Sequence, residues 1–295
     1  MKVLVTGAQG LVGSRFVELY KNDFELVCPT IEELNFKDKT KVTAYIEKLQ
    51  PDAIVNFAAI TDVRAAQAEV GNLDGNTWKT NFGIPCLLSE LANKHKIKLV
   101  QISTDLIFSG KDTADASYIE NEDLSKQDEK KISFYGLSKL AAEKYIKENC
   151  ENYCIIRITY PFRSKFTKTD FVRNFIELYD SNKLYPMFND NAITPTYIDE
   201  FCNVLNVVLN RNLSGVLHVC SINSTSHYEV AKYVLEKTGR DSSKLVTIPM
   251  KMFLEKITII PRAIYTAMDT KATQQITGIS FKTWQHYVDE MLSQN

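Results

Sequence analysis

The sequence predicts an α/β fold built on a doubly wound parallel sheet, and two observations lead to this prediction. Short runs of β-branched and apolar residues recur through the first 160 residues, and longer segments with helical periodicity lie between them. Continuous apolar strands that alternate with helices are typical of a parallel sheet covered on both faces. Right-handed crossovers would then place ligands beyond the carboxyl ends of the strands.

The individual elements follow from these runs. The predicted strands are Lys2–Thr6, Glu25–Cys28, Ala53–Phe57, Lys98–Ser103 and Cys154–Ile158, and the predicted helices between them are Val12–Lys21, Lys39–Leu49, Trp78–His95 and Tyr135–Asn149. After Ile158 the pattern loosens, with helices expected over Asp170–Asn182, Ile198–Asn210, Tyr228–Thr238 and Trp284–Leu292 and a buried strand over Gly215–Ser221. We therefore expect a main domain over residues 1–160, to which 193–222 returns, and a smaller C-terminal portion formed by 161–192 and 223–295.

Composition excludes several classes of protein. The 295 residues carry 35 Lys+Arg against 36 Asp+Glu, and 44% of them are hydrophobic, which argues against disorder and against global attraction to nucleic acid or anionic lipid. No apolar stretch approaches a membrane span or a signal peptide. Six scattered cysteines indicate reduced thiols and a cytoplasmic protein. Neither they nor the four dispersed histidines suggest a metal site.

A glycine-rich turn joins the first strand to the first helix. Gly7, Gly10 and Gly13 recur at every third position there. The first allows a sharp turn, the second lets the backbone approach a pyrophosphate, and the third lets helix and strand pack closely. The helix N-terminus would present N–H groups and a positive dipole end to phosphates. The turn predicts dinucleotide binding and therefore a Rossmann-type sheet.

The end of the second strand does not reveal which dinucleotide is preferred. An acidic residue there favours NAD, and a basic one favours NADP. This chain has Cys28-Pro29-Thr30, followed slightly later by Glu32 and Glu33. Because neither rule is met, NADP and NAD both stay open.

Candidate catalytic residues follow the fourth strand. Ser103-Thr104-Asp105 ends that strand, at the sheet edge that carries the glycine turn, and Tyr135-Gly136-Leu137-Ser138-Lys139 begins a later helix. Tyr135 and Lys139 are i and i+4 neighbours on one helix face. A nearby ammonium would lower the pKa of the tyrosine, which could exchange a proton with a carbonyl or alcohol oxygen that Thr104 also contacts.

These motifs together resemble those of extended short-chain dehydrogenase/reductases, and most specifically the dTDP-4-dehydrorhamnose reductase family. The similarity covers essentially the whole chain. It is carried by Gly7–Gly13, Asn56–Thr61, Ser103–Phe108, Tyr135–Lys139, Thr194–Tyr197 and Asp269–Gly278.

The resemblance implies the roles of the site residues. The family reduces the 4-keto group of a nucleotide-linked 6-deoxyhexose with NAD(P)H. Tyr135 would protonate the emerging alkoxide, Lys139 would tune Tyr135 and hold the nicotinamide ribose, and Thr104 would orient the carbonyl. Asp105 would help to place the sugar. The positions that match cofactor contacts are Gly10, Leu11 and Val12 for the pyrophosphate, Asn35 and Phe36 for adenine, and Ala59, Ile60 and Thr61 for the nicotinamide side. A homodimer is common in this superfamily.

The chain departs from the family pattern in three places, and these changes bear on the substrate rather than on the hydride chemistry. Asn35 replaces the usual aspartate before the adenine-contacting residue, and Tyr160 stands in a stretch that usually contains tryptophan. Asn189-Asp190-Asn191-Ala192 replaces a segment that is usually richer in Gln and Gly. Tyr160 is the predicted substrate-binding residue, and if the usual tryptophan shapes the sugar pocket, Tyr160 would change how the sugar is recognised.

Two alternatives use the same residues differently. A nucleotide-sugar epimerase or dehydratase would keep its cofactor through the reaction, although a dehydratase usually adds an acidic pair after the strand-end threonine, where this chain has Asp105 alone before Leu106. A non-catalytic regulatory subunit would bind the dinucleotide without turning over sugar. The intact Thr104, Tyr135 and Lys139 argue against the regulatory class.

Overall fold

A six-stranded sheet organises the fold of the chain. The computed structural model describes residues 1–256 and 260–294. Its strands are β1 (Lys2–Thr6), β2 (Glu25–Val27), β3 (Ala53–Asn56), β4 (Lys98–Thr104), β5 (Tyr153–Ile158) and β7 (Gly215–His218), in the order β2-β1-β3-β4-β5-β7. The registered pairs β1–β2, β1–β3 and β3–β4 are parallel. The predicted doubly wound α/β class is confirmed.

Most of the helices lie between strands, and the predicted helices are found close to their expected positions. The helices are α1 (Leu11–Tyr20), α2 (Lys39–Leu49), α3 (Val63–Ala68), α4 (Asn76–Trp78), α5 (Ile84–His95), α6 (Phe134–Asn149), α7 (Phe171–Asp180), α8 (Ile198–Asn210), α9 (His227–Lys237), α10 (Met250–Lys256), α11 (Lys271–Thr277) and α12 (Trp284–Ser293). The predicted helix Trp78–His95 is interrupted, because a π-helical turn occupies Lys79–Gly83 between α4 and α5.

The chain divides into two compact units. Unit 1 comprises Met1–Ile107, Ile132–Arg157 and Cys202–Leu217, and unit 2 comprises Phe108–Lys131, Ile158–Phe201 and His218–Asn295. The predicted returning segment 193–222 is therefore shared, since only its part from Cys202 to Leu217 belongs to unit 1. The assignment of cofactor binding and substrate binding to separate parts of the chain stays a prediction.

Apolar strands and helix faces form the core of unit 1. Leu4, Ile54 and Leu99 are fully buried on three neighbouring strands, and they pack with α2 and α5 side chains such as Ile46 and Leu88. Strands buried on both faces cannot expose an alternating polar pattern, which explains their continuous apolar sequences. This core fixes the carboxyl edge of the sheet, where the candidate site begins.

Unit 2 has its own core around α7, α9 and α12. Phe175, Val234, Tyr287 and Val288 are buried there with other apolar side chains. A two-stranded parallel ladder adds β6 (Met187–Phe188) and β8 (Thr247–Ile248). His218 is fully buried and shares a 3.0 Å hydrogen bond between its Nδ1 and the Asp269 carbonyl.

The six cysteines are all free thiols, and four of them are buried, as the sequence predicts. Burial raises the pKa of Cys154 to about 12. Within residues 1–256 and 260–294, no helix combines the length and the apolar character that crossing a bilayer requires.

Gly136 provides a direct test of how α6 packs. A methyl added at this position would overlap the Leu106 carbonyl oxygen and lie 2.7 Å from the Ile132 side chain. We expect Gly136→Ala to lower the free energy of unfolding by about 2 kcal/mol, measured by urea denaturation. Gly83→Ala is the control, because open space surrounds the added methyl to 4 Å among the described residues, and it should be neutral or slightly stabilising. Equal stability of the two variants would contradict the packing of α6.

Candidate active site

Buried amides connect the carboxyl ends of three neighbouring strands. The Thr6 hydroxyl donates to Asn56 Oδ1 at 2.5 Å, Asn56 Nδ2 donates to Gln101 Oε1 at 2.7 Å, and Gln101 Nε2 donates to the Ile102 carbonyl at 2.8 Å. The Ala58 amide also donates to the Thr6 hydroxyl. Because buried polar groups are costly when unpaired, this satisfied chain holds the strand ends and the loop after β3 in one arrangement.

The glycine turn after β1 closes tightly. Gly7 has φ +63°, and a Cβ there would lie 2.8 Å from the Ala58 amide nitrogen. A Cβ at Gly13 would lie 2.6 Å from the Gly7 carbonyl oxygen, so the first turn of α1 packs directly on the turn. Gly10 is the N-cap of α1, and within the described residues no side chain caps this end of the helix. The backbone N–H groups of the first turn, at Leu11 and Val12, lie at an end without an acidic residue.

Thr104 and Asp105 lie at the end of the central strand β4. Both are buried, at 7% and 2% exposure. The Thr104 hydroxyl donates to Asp105 Oδ1 at 3.1 Å and accepts from the Leu106 amide at 3.2 Å. The hydroxyl is thereby fixed at the carboxyl edge of the sheet.

Tyr135 and Lys139 lie one turn apart at the start of α6. The helix begins there because the Ser133 hydroxyl accepts from the Gly136 amide. The side chains of Tyr135 and Thr104 interact, and Lys139 Nζ donates to the Ile102 carbonyl at 2.6 Å. The structure therefore brings the three predicted catalytic side chains together at the end of β4.

The electrostatics of the pair differ from the sequence expectation. Burial, followed by the negative charge of Asp105, raises the pKa of Tyr135, although hydrogen bonding with Thr104 acts in the opposite direction. The predicted lowering of this pKa is wrong for the free protein, because the loss of solvation on burial is the dominant effect. Tyr135 is consequently a neutral phenol at neutral pH.

Lys139 is also shifted by burial. Desolvation lowers its pKa to about 8, and the negative charge of Glu143 acts against that shift. The ammonium is thus largely charged at neutral pH, and it loses its proton as the pH rises through about 8.

Sequence reasoning missed Asn81, which connects the loop after β3 to α6. Its Oδ1 accepts from the Ile60 amide at 2.8 Å, and its Nδ2 donates to the Ile60 carbonyl at 3.0 Å and to Ser138 Oγ at 3.1 Å. Ser138 in turn donates to the Tyr135 carbonyl. Asn81 lies in the π-helical turn, a feature that often marks functional sites but has no simple sequence signature.

The predicted cofactor contacts lie in two further places. Ala59 and Ile60 are half-buried and Thr61 is exposed in the loop that Asn81 holds. Asn35 is exposed and accepts from the Lys37 amide at 3.1 Å, whereas Phe36 is 7% exposed and belongs to the unit 1 core. Their contacts with a dinucleotide stay predictions.

The predicted substrate residue Tyr160 belongs to unit 2. Its ring packs against Phe171 at 4.7 Å and meets the His227 ring edge-on at 4.9 Å. His227 Nδ1 is 2.9 Å from Asn191 Nδ2 and therefore accepts that hydrogen bond. Burial, and then the charge of Arg262, lower the pKa of His227 to about 3, which keeps the imidazole neutral. Asn191, one of the departures on the sugar side, thus orients this ring.

A known protein family matches this chain over its full length. The sequence model of the RmlD substrate binding domain family matches residues 1–295. The chain belongs to this family. The resemblance to extended short-chain dehydrogenase/reductases of the dTDP-4-dehydrorhamnose reductase type is confirmed.

Individual relatives within this family are distant in sequence. The chain is 27% identical to the spore coat polysaccharide biosynthesis protein SpsK of Bacillus subtilis, over 99% of this chain and 97% of that protein. It is also 27% identical to dTDP-4-keto-6-deoxy-D-glucose reductase of Streptomyces niveus, over 83% and 82% of the two chains. The crystal structure of Bacillus anthracis dTDP-4-dehydrorhamnose reductase in complex with NADP has a TM-score of 0.87 at 23% identity, covering 100% of this chain and 99% of that chain, which shows the shared fold.

Asn81→Ala tests the link between the Ile60 loop and α6. Removing a buried amide leaves the Ile60 N–H and carbonyl without partners, so we expect the free energy of unfolding to fall by about 2 kcal/mol. Amide hydrogen exchange near Ile60 should accelerate. Asn93→Ala is the matched control, because this exposed amide also joins two backbone groups, those of Asn149 and Glu151. Similar losses in the two variants would show that Asn81 has no special role.

Proposed function

We propose that this protein is an NAD(P)H-dependent reductase of the 4-keto group of a nucleotide-linked 6-deoxy sugar. The observation that carries the proposal is the meeting of Thr104, Tyr135 and Lys139 at the carboxyl end of β4. Parallel strands bring the glycine turn after β1 to the same edge of the sheet. The activities named for the Streptomyces niveus and Bacillus anthracis relatives support the choice of substrate.

Tyr135 supplies the proton in this reaction. A ketone that is being reduced develops negative charge on its oxygen, so the acid must hold a proton at the working pH. The raised pKa of Tyr135 meets this requirement, since the phenol is neutral before the reaction begins. As the alkoxide forms, the phenolic proton passes to it and the tyrosine becomes anionic.

Thr104 and Lys139 stabilise the charges that appear. The Leu106 amide holds the Thr104 hydroxyl in place, and the hydroxyl would exchange its hydrogen bond to Asp105 for one to the substrate oxygen, which orients the carbonyl. The Lys139 ammonium lies one helical turn from Tyr135 and favours the phenolate that remains after proton transfer. Positioned charges of this kind act strongly because the site is buried.

The residues of unit 1 fit a dinucleotide. The uncapped N-terminus of α1 and the close packing at Gly7 and Gly13 leave backbone N–H groups for a pyrophosphate. Gly10, Leu11 and Val12 would hold the phosphates, and Ala59, Ile60 and Thr61 would lie on the nicotinamide side. When bound, the reduced nicotinamide supplies the hydride for carbon 4 of the sugar.

Both NADPH and NADH remain suitable cofactors. Thr30 and Glu33 bond each other reciprocally after β2, with the Thr30 amide donating to the Glu33 carboxylate at 2.8 Å. Cys28 and this pair provide neither a cation for a 2′-phosphate nor a free carboxylate directly at the strand end.

Because homodimers are common in the superfamily that this chain resembles, we expect a homodimer, which light scattering would detect.

Tyr135→Phe tests the proton donor. We expect this variant to lose at least 99% of the turnover while still binding NADPH, measured by absorbance loss at 340 nm with a panel of dTDP-4-keto-6-deoxy sugars. Tyr145→Phe is the matched control, because Tyr145 lies on the same helix but its hydroxyl bonds Glu90 at 3.4 Å near the surface. It should retain full activity.

The other outcomes of this assay separate the alternatives. NADPH binding without turnover of any sugar by the unmodified protein would identify a regulatory subunit. A product epimerised without net cofactor consumption would identify an epimerase. Full activity of Tyr135→Phe would remove the tyrosine from the mechanism.

The charge on Lys139 predicts the pH dependence of the reaction. Because the ammonium is present below its pKa and is lost above it, kcat/KM should fall as the pH rises through about 8. Initial rates from pH 6 to 10, with saturation checked at each pH, measure this limb. A flat profile up to pH 10 would show that the charge on Lys139 does not assist the reaction.

A further inference from the structure

A fully buried ion pair lies one helical turn beyond Lys139. Glu143 on α6 and Arg157 on β5 are both 0% exposed, and the Arg157 guanidinium donates to both carboxylate oxygens, with Nη2 to Oε2 at 2.7 Å and Nε to Oε1 at 3.0 Å. Lys147, a further turn along α6, approaches the same carboxylate at 3.8 Å. Tyr135, Lys139, Glu143 and Lys147 thus follow one another at four-residue spacing along one helix face.

A buried ion pair of this kind adds little net stability by itself. Taking two charges out of water is often no more favourable than apolar packing of the same volume. Burial alone would raise the pKa of Glu143, but Arg157, together with smaller contributions from Lys147 and Ser103, holds the pKa below its usual value, so the carboxylate stays ionised. The charge of Glu143 is also what opposes the desolvation of Lys139.

Several other charged groups near α6 interact with other partners. The negative charge of Asp105, in the turn after β4, raises the pKa of Tyr135. On the elements packed against α6, Glu90 of α5 bonds Lys39 and Tyr145, Lys79 pairs with Asp74, and Lys98 of β4 bonds Asn152. Glu143, four residues after Lys139 on the same helix face, is the carboxylate whose charge acts on the Lys139 ammonium.

We propose that Glu143 is a positioning residue for Lys139: its carboxylate, one helical turn away and fixed by Arg157, is the counter-charge that keeps the lysine charged at the end of β4. The inference deepens the proposed function and rests on it for its catalytic consequence. Arg157 fixes both the ionisation and the orientation of Glu143 through its two-pronged hydrogen bonds. The charged Lys139 ammonium then donates its hydrogen bond to the Ile102 carbonyl.

A titration of Lys139 tests this role without depending on turnover. The protein is labelled with lysine carrying 13C at Cε, and the Lys139 resonance is identified by its loss in Lys139→Arg. In the unmodified protein its midpoint should lie near pH 8. In Glu143→Gln we expect the midpoint to fall by about one pH unit or more, because an opposite charge has been removed. Glu148→Gln, an exposed glutamate on the same helix, is the matched control and should leave the midpoint unchanged.

A second variant covers the case in which Glu143→Gln does not fold because Arg157 is left unpaired. Glu143→Gln with Arg157→Gln removes both buried charges and keeps polar side chains of similar size. The Lys139 midpoint should still fall in this double variant, although less than in the single one. An unchanged midpoint in either folded variant would overturn the proposal and leave the ion pair a purely structural feature.

The kinetic readout separates this proposal from the proposed function. If both hold, the alkaline limb of kcat/KM moves to lower pH together with the Lys139 midpoint in the folded variant. If the midpoint moves but the unmodified protein turns over no keto sugar, the role of Glu143 stands and the proposed reductase activity fails. If activity is present and its alkaline limb stays fixed while the midpoint moves, the catalytic consequence is overturned.

Discussion

The ammonium group of Lys139 is buried in the protein interior, and neighbouring groups stabilise its charge there. Its Nζ is bound by the Ile102 carbonyl at 2.6 Å, and Glu143 supplies a negative charge on the same helix. An unpaired buried charge would instead lose its proton or unfold its surroundings. The placement of Lys139 therefore constrains the register between α6 and β4, and with it the position of Tyr135.

The same edge of the sheet is held by uncharged hydrogen bonds. Thr6, Asn56 and Gln101 connect three strands in sequence, and Asn81 joins the loop after β3 to Ser138 on α6. A site that transfers a proton needs its groups fixed before the substrate arrives, because reorganisation adds to the barrier. The buried amides provide that rigidity, whereas the glycine turn leaves backbone N–H groups at the mouth of the site.

Local patterns in the sequence were sufficient for the sheet and for part of the site. The strands are short apolar runs and Tyr135 and Lys139 are four residues apart, so both could be read without tertiary information. The direction in which the pKa of Tyr135 shifts could not be predicted in this way, since it depends on how deeply α6 packs. Asn81 and the Glu143–Arg157 pair were missed for the same reason: their partners lie between 14 and 57 residues away in the chain. The roles of Asn35, Phe36 and Tyr160 toward ligands are still predictions.

Transfer of an isotope label is the most direct test of the central claim that this site reduces a sugar ketone. NADPH carrying deuterium at the transferable nicotinamide position would be incubated with the protein and a dTDP-4-keto-6-deoxy sugar, and the product would be examined by NMR. We expect one deuterium at carbon 4 of the sugar, in a single configuration. A product without deuterium at carbon 4, or a label that appears at another carbon, would contradict it.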